Sequence, residues 1–171
     1  MKIKIRKALQ EDAKDYALCH IYCWQTAYKG IVPDDFLENM LVEKEKYIER
    51  YKNNLTEPGD CKYYCVIYEE KMIGFITIYK GFNENNFEVG EIWAIYLIEE
   101  YRNKNYGKEM LKFAITELKR FDLKEISLWV FEKNIRARKF YESNNFKFDN
   151  IKREVERYGK PLTQLRYVLN E

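Results

Sequence analysis

The run Met72-Ile-Gly-Phe-Ile-Thr-Ile-Tyr79 constrains the fold more than any other segment of the chain. It is apolar on both of its faces, which is the pattern of a central strand in a sheet covered on both sides. Lys62 to Tyr68 reads as a neighbouring strand, and Glu69-Glu70-Lys71 as the turn between the two.

Around this centre the hydrophobic period alternates between helical and extended. Ile3 and Ile5 alternate with charge, so residues 2–8 read as a first strand. Asp12 is placed to cap a helix over 13–28, with Ala17, His20/Ile21, Trp24 and Tyr28 at spacings of three and four and Gly30 ending it. A short helix is expected over 35–40 after Pro33-Asp34, then a charged helix over 42–53. Glu57-Pro-Gly-Asp60 is a turn. Residues 81–88 form a polar loop with Asn83, Asn85 and Asn86. The next strand covers 91–98, with Ile92, Ala94 and Tyr96 expected on one face and Trp93, Ile95 and Leu97 on the other. A polar loop, 99–106, leads to a helix over 107–120 whose apolar stripe is Met110, Leu111, Ala114 and Leu118. Then come a strand over 125–131, a helix over 134–144, a strand over 146–157, a turn at 158–161 and a last strand over 164–169. The order β-α-α-α-β-β-β-α-β-α-β-β describes a single mixed α/β domain over 1–171.

The 30 basic and 28 acidic side chains leave a net charge of +2, too balanced for a nucleic-acid or anionic-membrane surface. No run of 18 apolar residues is present to span a membrane, and the alternation of Lys and Ile at the N-terminus lacks the apolar stretch of a signal peptide. A cytoplasmic protein with reduced thiols is expected. Cys19, Cys23, Cys61 and Cys65, with His20 beside the first pair, raise a zinc site as one reading. Structural zinc sites favour tighter spacings in loops, whereas Cys19 and Cys23 lie in a helical pattern and Cys65 in an apolar strand. The better account is four buried, small apolar side chains and no metal.

The chemistry concentrates where the strand over 91–98 meets the following helix. The intervening loop reads Arg102-Asn-Lys-Asn-Tyr-Gly107, with Lys108 just after it. A helix N-terminus carries unpaired N–H groups and partial positive charge, which suits a phosphate or pyrophosphate. Gly107 allows an anion close to the backbone, and Asn105 tolerates a left-handed conformation better than most side chains. Taken alone, the loop is equally a plain strand-to-helix connection with solvated charges.

Two longer runs carry a resemblance. Glu91-Ile-Trp-Ala-Ile-Tyr-Leu97 followed by Tyr101-Arg-Asn-Lys-Asn-Tyr-Gly-Lys108 resembles the acetyl-CoA-binding motif of the GNAT N-acetyltransferase superfamily, Arg/Gln-x-x-Gly-x-Gly/Ala. Asn134-Ile-Arg-Ala-Arg-Lys-Phe-Tyr-Glu-Ser-Asn-Asn-Phe146 resembles that family's second signature. In both, Asn stands where Gly is usual, at Asn105 and Asn145. The stretch from His20 to Pro33 is similar to the first helices of many bacterial members.

The resemblance implies a mixed, mostly antiparallel sheet of about seven strands flanked by helices. It implies acetyl-CoA as co-substrate, with its pantetheine arm along Ile95, Tyr96 and Leu97. The pyrophosphate would lie on Arg102, Asn103, Lys104, Asn105, Tyr106, Gly107 and Lys108, and Asn134 would meet the pantetheine from the opposite wall. The acceptor would be an amine, on a small molecule or a peptide. Tyr141 matches the family's usual proton donor to the leaving thiolate, and Glu91 stands where several members carry a base. A backbone N–H near Ile95 to Leu97 would meet the oxyanion. His20 is a further candidate base, and Trp24 and Tyr28 are candidates to line the acceptor cleft. Each residue has a plainer reading: Tyr141 as a packed helix aromatic, Glu91 as a carboxylate at a strand start, His20 as a structural histidine, and Trp24 and Tyr28 as core. The competing function is a non-catalytic acyl-CoA-binding or regulatory module on the same fold. The identity of the amine and the presence of a homodimer stay open.

Overall fold

The computed structural model describes residues 2–82, 87–123 and 125–170. Residues 83–86 of the asparagine-rich loop expected over 81–88 fall outside the described residues, and the flanking strands extend into the rest of it, to Phe82 and from Glu88. The elements are β1 (Lys4–Lys7), α1 (Ala13–Ala27), α2 (Asp34–Val42), α3 (Lys44–Thr56), β2 (Cys61–Tyr68), β3 (Lys71–Phe82), β4 (Glu88–Leu97), α4 (Tyr106–Leu118), β5 (Glu125–Phe131), α5 (Ile135–Glu142), β6 (Phe146–Arg157) and β7 (Lys160–Leu169). They follow the expected order. The seven strands form one sheet in the order β1-β2-β3-β4-β5-β7-β6, and β4 and β5 are its parallel pair.

Each face of the sheet has its own core. On one face the apolar stripe of α4, with Met110, Leu111, Ala114 and Leu118, packs on Ile76, Ile78, Ile92 and Leu128. On the other, Tyr16, Ala17, Cys19 and Cys23 of α1 and Tyr51 of α3 pack on Cys65 and Phe75. The central strand β3 therefore meets apolar partners above and below, as its two-faced pattern requires. All four cysteines are buried thiols. Among the described residues no cluster of three or more His, Cys, Asp or Glu side chains is arranged to hold a metal ion. No helix among them is long and apolar enough to cross a membrane.

Two local expectations change. Asp12 does not cap α1 through its side chain. Its carboxylate accepts from Arg6 and from the Leu9 N–H instead, tying β1 to the turn before the helix. The face assignment of β4 also changes. Thr77 pairs with Ala94 and Ile78 with Ile92, so Trp93 is an extra residue, a β-bulge. The bulge reverses the alternation, and Ile92 joins Ile95 and Leu97 on the α4 side while Ala94 and Tyr96 face α1. Buried Tyr16 holds β3 at this point, its hydroxyl 3.1 Å from the Ile76 carbonyl oxygen and 2.9 Å from Thr77 Oγ1.

Among the described residues β4 and β5 pair at Val89–Glu125, Gly90–Ile126 and Glu91–Ser127. Beyond Glu91 the two strands have no further pairing, and the sheet opens between them.

Candidate active site

This opening is a cleft of about 690 Å³, within the size range of ligand sites. One wall is the unpaired edge of β4. Ile98 donates its N–H to the Ile73 carbonyl at 2.8 Å. Backbone groups alternate sides along an antiparallel ladder, so Tyr96 also faces β3, and Ile95 and Leu97 turn their backbone groups into the cleft. A Cβ on Gly74 would lie 2.5 Å from the Tyr96 carbonyl oxygen, which confirms that this carbonyl faces β3 and shows why that position is glycine. Tyr96 contributes to the cleft through its side chain, not its backbone as the resemblance implied. Its hydroxyl lies 2.5 Å from that of Tyr28.

The N-terminus of α4 closes one end. Asn105 has φ 64° and ψ −3°, and Asn103 has φ 62°. Both occupy the left-handed region that asparagine tolerates. Asn105 makes no side-chain cap, while its carbonyl accepts from Lys108 and Glu109 at 3.0 and 3.2 Å. Arg102, Asn103, Asn105, Gly107 and Lys108 line the cleft. Lys104 lies over the Tyr101 ring and Tyr106 against Tyr68, and neither lines it. Arg102 is held in place. Its Nε donates to the Leu97 carbonyl at 3.1 Å, Nη1 meets Glu99 at 3.3 Å, and Nη2 reaches Thr26 at 3.3 Å. A Cβ on Gly107 would meet only the Phe140 ring, at 3.5 Å, so the packing itself leaves that backbone approachable.

Helix α5 forms the facing wall. Asn134 caps it, its Oδ1 accepting from the Ala137 N–H at 3.1 Å, and lines the cleft as well. Arg138 anchors the helix to the sheet, donating to the Glu132 carbonyl at 3.0 Å and to the Tyr167 hydroxyl at 3.1 Å. Asn145 ends this region at φ 68°, left-handed like Asn103 and Asn105. Tyr141 lines the cleft opposite β4. Its hydroxyl has no hydrogen-bond partner among the described residues. Burial raises its pKa, so the proton stays on the oxygen near neutral pH.

Glu91 lies where the two strands part and does not line the cleft, although its neighbours Ile92 and Trp93 do. Burial raises its pKa, and Arg153 opposes the shift. His20 stands outside the cleft. Its Nδ1 is 2.7 Å from the Tyr51 hydroxyl, its ring sits among Trp24, Tyr47 and Phe75, and burial, assisted by Arg50, pushes its pKa down to about 3. That is a structural histidine, neutral at physiological pH.

A sequence profile of the Acetyltransferase (GNAT) family matches residues 12–146 of the 171. The chain belongs to the GNAT family of acetyltransferases. This GNAT chain is 29% identical to an uncharacterised N-acetyltransferase, YuaI, of Bacillus subtilis, over 98% of its own length and 99% of that protein's. It is 29% identical to the spermidine N(1)-acetyltransferase of Thermoplasma acidophilum, over 88% of its length and 91% of that protein's. Its structure superposes with a TM-score of 0.73 on the PaiA N-acetyltransferase of Thermoplasma acidophilum in complex with coenzyme A, at 26% identity, covering 96% and 98% of the two chains. The expected GNAT sheet is the one observed.

Several cleft residues of this GNAT protein escaped the sequence reading. Thr26 is the anchor of Arg102, Trp129 lines the cleft from β5, and Arg136 comes from the first turn of α5. Burial, and then repulsion by Arg102, lowers the Arg136 pKa, so two guanidinium groups share one environment that favours an anion. Only Arg136 carried a signal, two residues after Asn134. Thr26 and Trp129 become neighbours of the motif through the fold alone.

Proposed function

We propose that this protein transfers an acetyl group from acetyl-CoA to a primary amine, with Tyr141 as the proton donor and Glu91 as the proton acceptor. The observation that carries the reading is the Tyr141 hydroxyl, without a partner, in the same cleft as the unpaired β4 edge and the α4 N-terminus. The features fit the proposed cofactor. The free backbone groups of Ile95 and the Leu97 N–H can pair with an extended amide chain as an added strand would. The N-terminus of α4, with Lys108 and Arg136, can hold a pyrophosphate. When bound, the cofactor supplies a thioester with an acyl carbon open to attack by nitrogen.

Residues of this chain then manage two protons. A free alkylamine is largely protonated near neutral pH and must lose a proton to attack. Glu91 has the raised pKa that suits a base. It does not line the cleft, so it acts through a bridging water. The Tyr141 hydroxyl holds the proton that the departing sulfur takes. The oxygen on which negative charge develops would be met by a backbone N–H of the β4 edge.

The test is turnover. Acetyl-CoA and a panel of primary amines, spermidine among them, are incubated with the enzyme while free thiol is followed. The reading expects thiol release that depends on the amine. Tight CoA binding with no release for any amine would support the non-catalytic module instead.

A further inference from the structure

The α1 side of the sheet carries groups that the acetyl-donor site does not use. Along β6, Arg153, Val155 and Arg157 share one face. Val155 packs into the core formed by α1, α2 and Phe131, so this face looks toward α1 and α2. Arg153 places its guanidinium 4.0 Å from the centre of the Trp129 ring, and Trp129 lines the cleft. Arg157 lies 6.0 Å from the ring of Trp24.

Neither arginine has a carboxylate partner within ion-pair distance among the described residues. Arg153 donates to Gln164 Oε1 at 2.8 Å, and Arg157 to the Glu156 carbonyl at 2.8 Å. Glu132 is paired with Lys152, Asp149 and Glu125 with Arg166, and Glu43 with Lys46. Glu91 is the carboxylate whose field reaches Arg153, and it lies at the fork of the strands. The indole Nε1 of Trp24 is buried and is the one side-chain polar atom so placed without a partner among the described residues. A donor without an acceptor thus stands in the ring that Arg157 approaches.

A polyamine carries several positive charges and no acceptor for these donors. Two guanidinium groups without carboxylate partners would repel it, and Glu91, the carboxylate that acts on Arg153, would attract one end of it. An amine that also bears a carboxylate fits better, with its amino group toward Glu91 and its carboxylate on Arg153 or Arg157.

Resting on the acetyltransferase reading above, we infer that the acceptor is an amino-carboxylate, an amino acid or short peptide, recognised through Arg153 and Arg157. The two arginines are specificity residues of the acceptor site and stand apart from the donor-binding loop. They lie four residues apart on a strand, which separates their Cα atoms by roughly 13 Å. One of the two can therefore take the carboxylate of a short acceptor and the other that of a longer one.

The experiment measures thiol release from acetyl-CoA with matched acceptors: amino acids and dipeptides, the same compounds as C-terminal amides, and spermidine. The inference expects kcat/KM for the best carboxylate acceptor to exceed that of its amide by about tenfold or more. It also expects Arg153→Gln or Arg157→Gln to remove that preference through KM, leaving CoA affinity unchanged. Spermidine preferred over every carboxylate acceptor, or amides turned over as well as the acids, would overturn the inference and leave the acetyltransferase reading standing. No turnover of any amine would remove both. The comparison of acid and amide uses the unmodified protein and does not depend on a variant folding.

Discussion

At Asn105 the backbone holds φ 64° in a residue that makes no cap of its own. A left-handed conformation costs a non-glycine residue about 1 kcal/mol, somewhat less for asparagine. Asn105→Gly is therefore expected to leave the fold intact, to raise stability by up to ~1 kcal/mol in urea denaturation, and to keep or tighten CoA binding in a calorimetric titration. A tenfold loss of affinity would mean that the amide side chain touches the cofactor. His20 makes a prediction of a different kind. Its pKa falls from the ordinary 6.5 to about 3 in the folded chain. Between these values the unfolded chain binds the proton and the folded chain does not. Stability contributed by this residue is present above pH 6.5 and is lost as pH falls toward 3, by at most ~1.4 kcal/mol per pH unit. Urea midpoints at pH 7 and pH 5.5 should diverge more in the parent protein than in His20→Gln. Equal pH dependence in the two would contradict a buried neutral imidazole.

The hairpin joining β2 to β3 shows how elements tolerate imperfect turns. Tyr68 pairs with Lys71, and the two residues between them, Glu69 and Glu70, have φ 47° and 63°. A two-residue turn with both φ positive favours Asn-Gly, so two adjacent glutamates are a poor choice. Replacing them together, Glu69→Asn with Glu70→Gly, is expected to stabilise the protein by ~1–2 kcal/mol. A rise in melting temperature would register this, and an unchanged or lower one would refute it. The turn was legible in Glu69-Glu70-Lys71, but its backbone type was not, because nothing in two glutamates signals positive φ. The bulge in β4 was hidden for a related reason. Ile92-Trp-Ala-Ile-Tyr-Leu97 is apolar at every position, so alternation carries no information about which face each residue takes. The Asn134 cap, by contrast, sits where capping rules would put it, immediately before Ile135.

For the whole molecule, the strand and helix order followed from periodicity, and the sheet order fits the resemblance carried by two motifs. The cleft was legible only in part. Residues contiguous with the motifs, such as Ile95, Asn105 and Asn134, could be named because each motif is a continuous run. Thr26, Trp93 and Trp129 come from three different elements, α1, β4 and β5, and meet only where β4 and β5 part. The proposed acceptor side is harder still, since Trp24 meets Arg157, and Glu91 acts on Arg153, only across long sequence separations.

The account turns on whether the cleft between β4 and β5 is a place of catalysis as well as binding. The direct measurement is steady-state thiol release by Tyr141→Phe at saturating acetyl-CoA and amine, beside its dissociation constant for CoA. The account predicts kcat lower by about 10²-fold or more, with CoA affinity within about threefold of the parent because binding rests on β4 and α4. Parent-like turnover by the phenylalanine variant would contradict it.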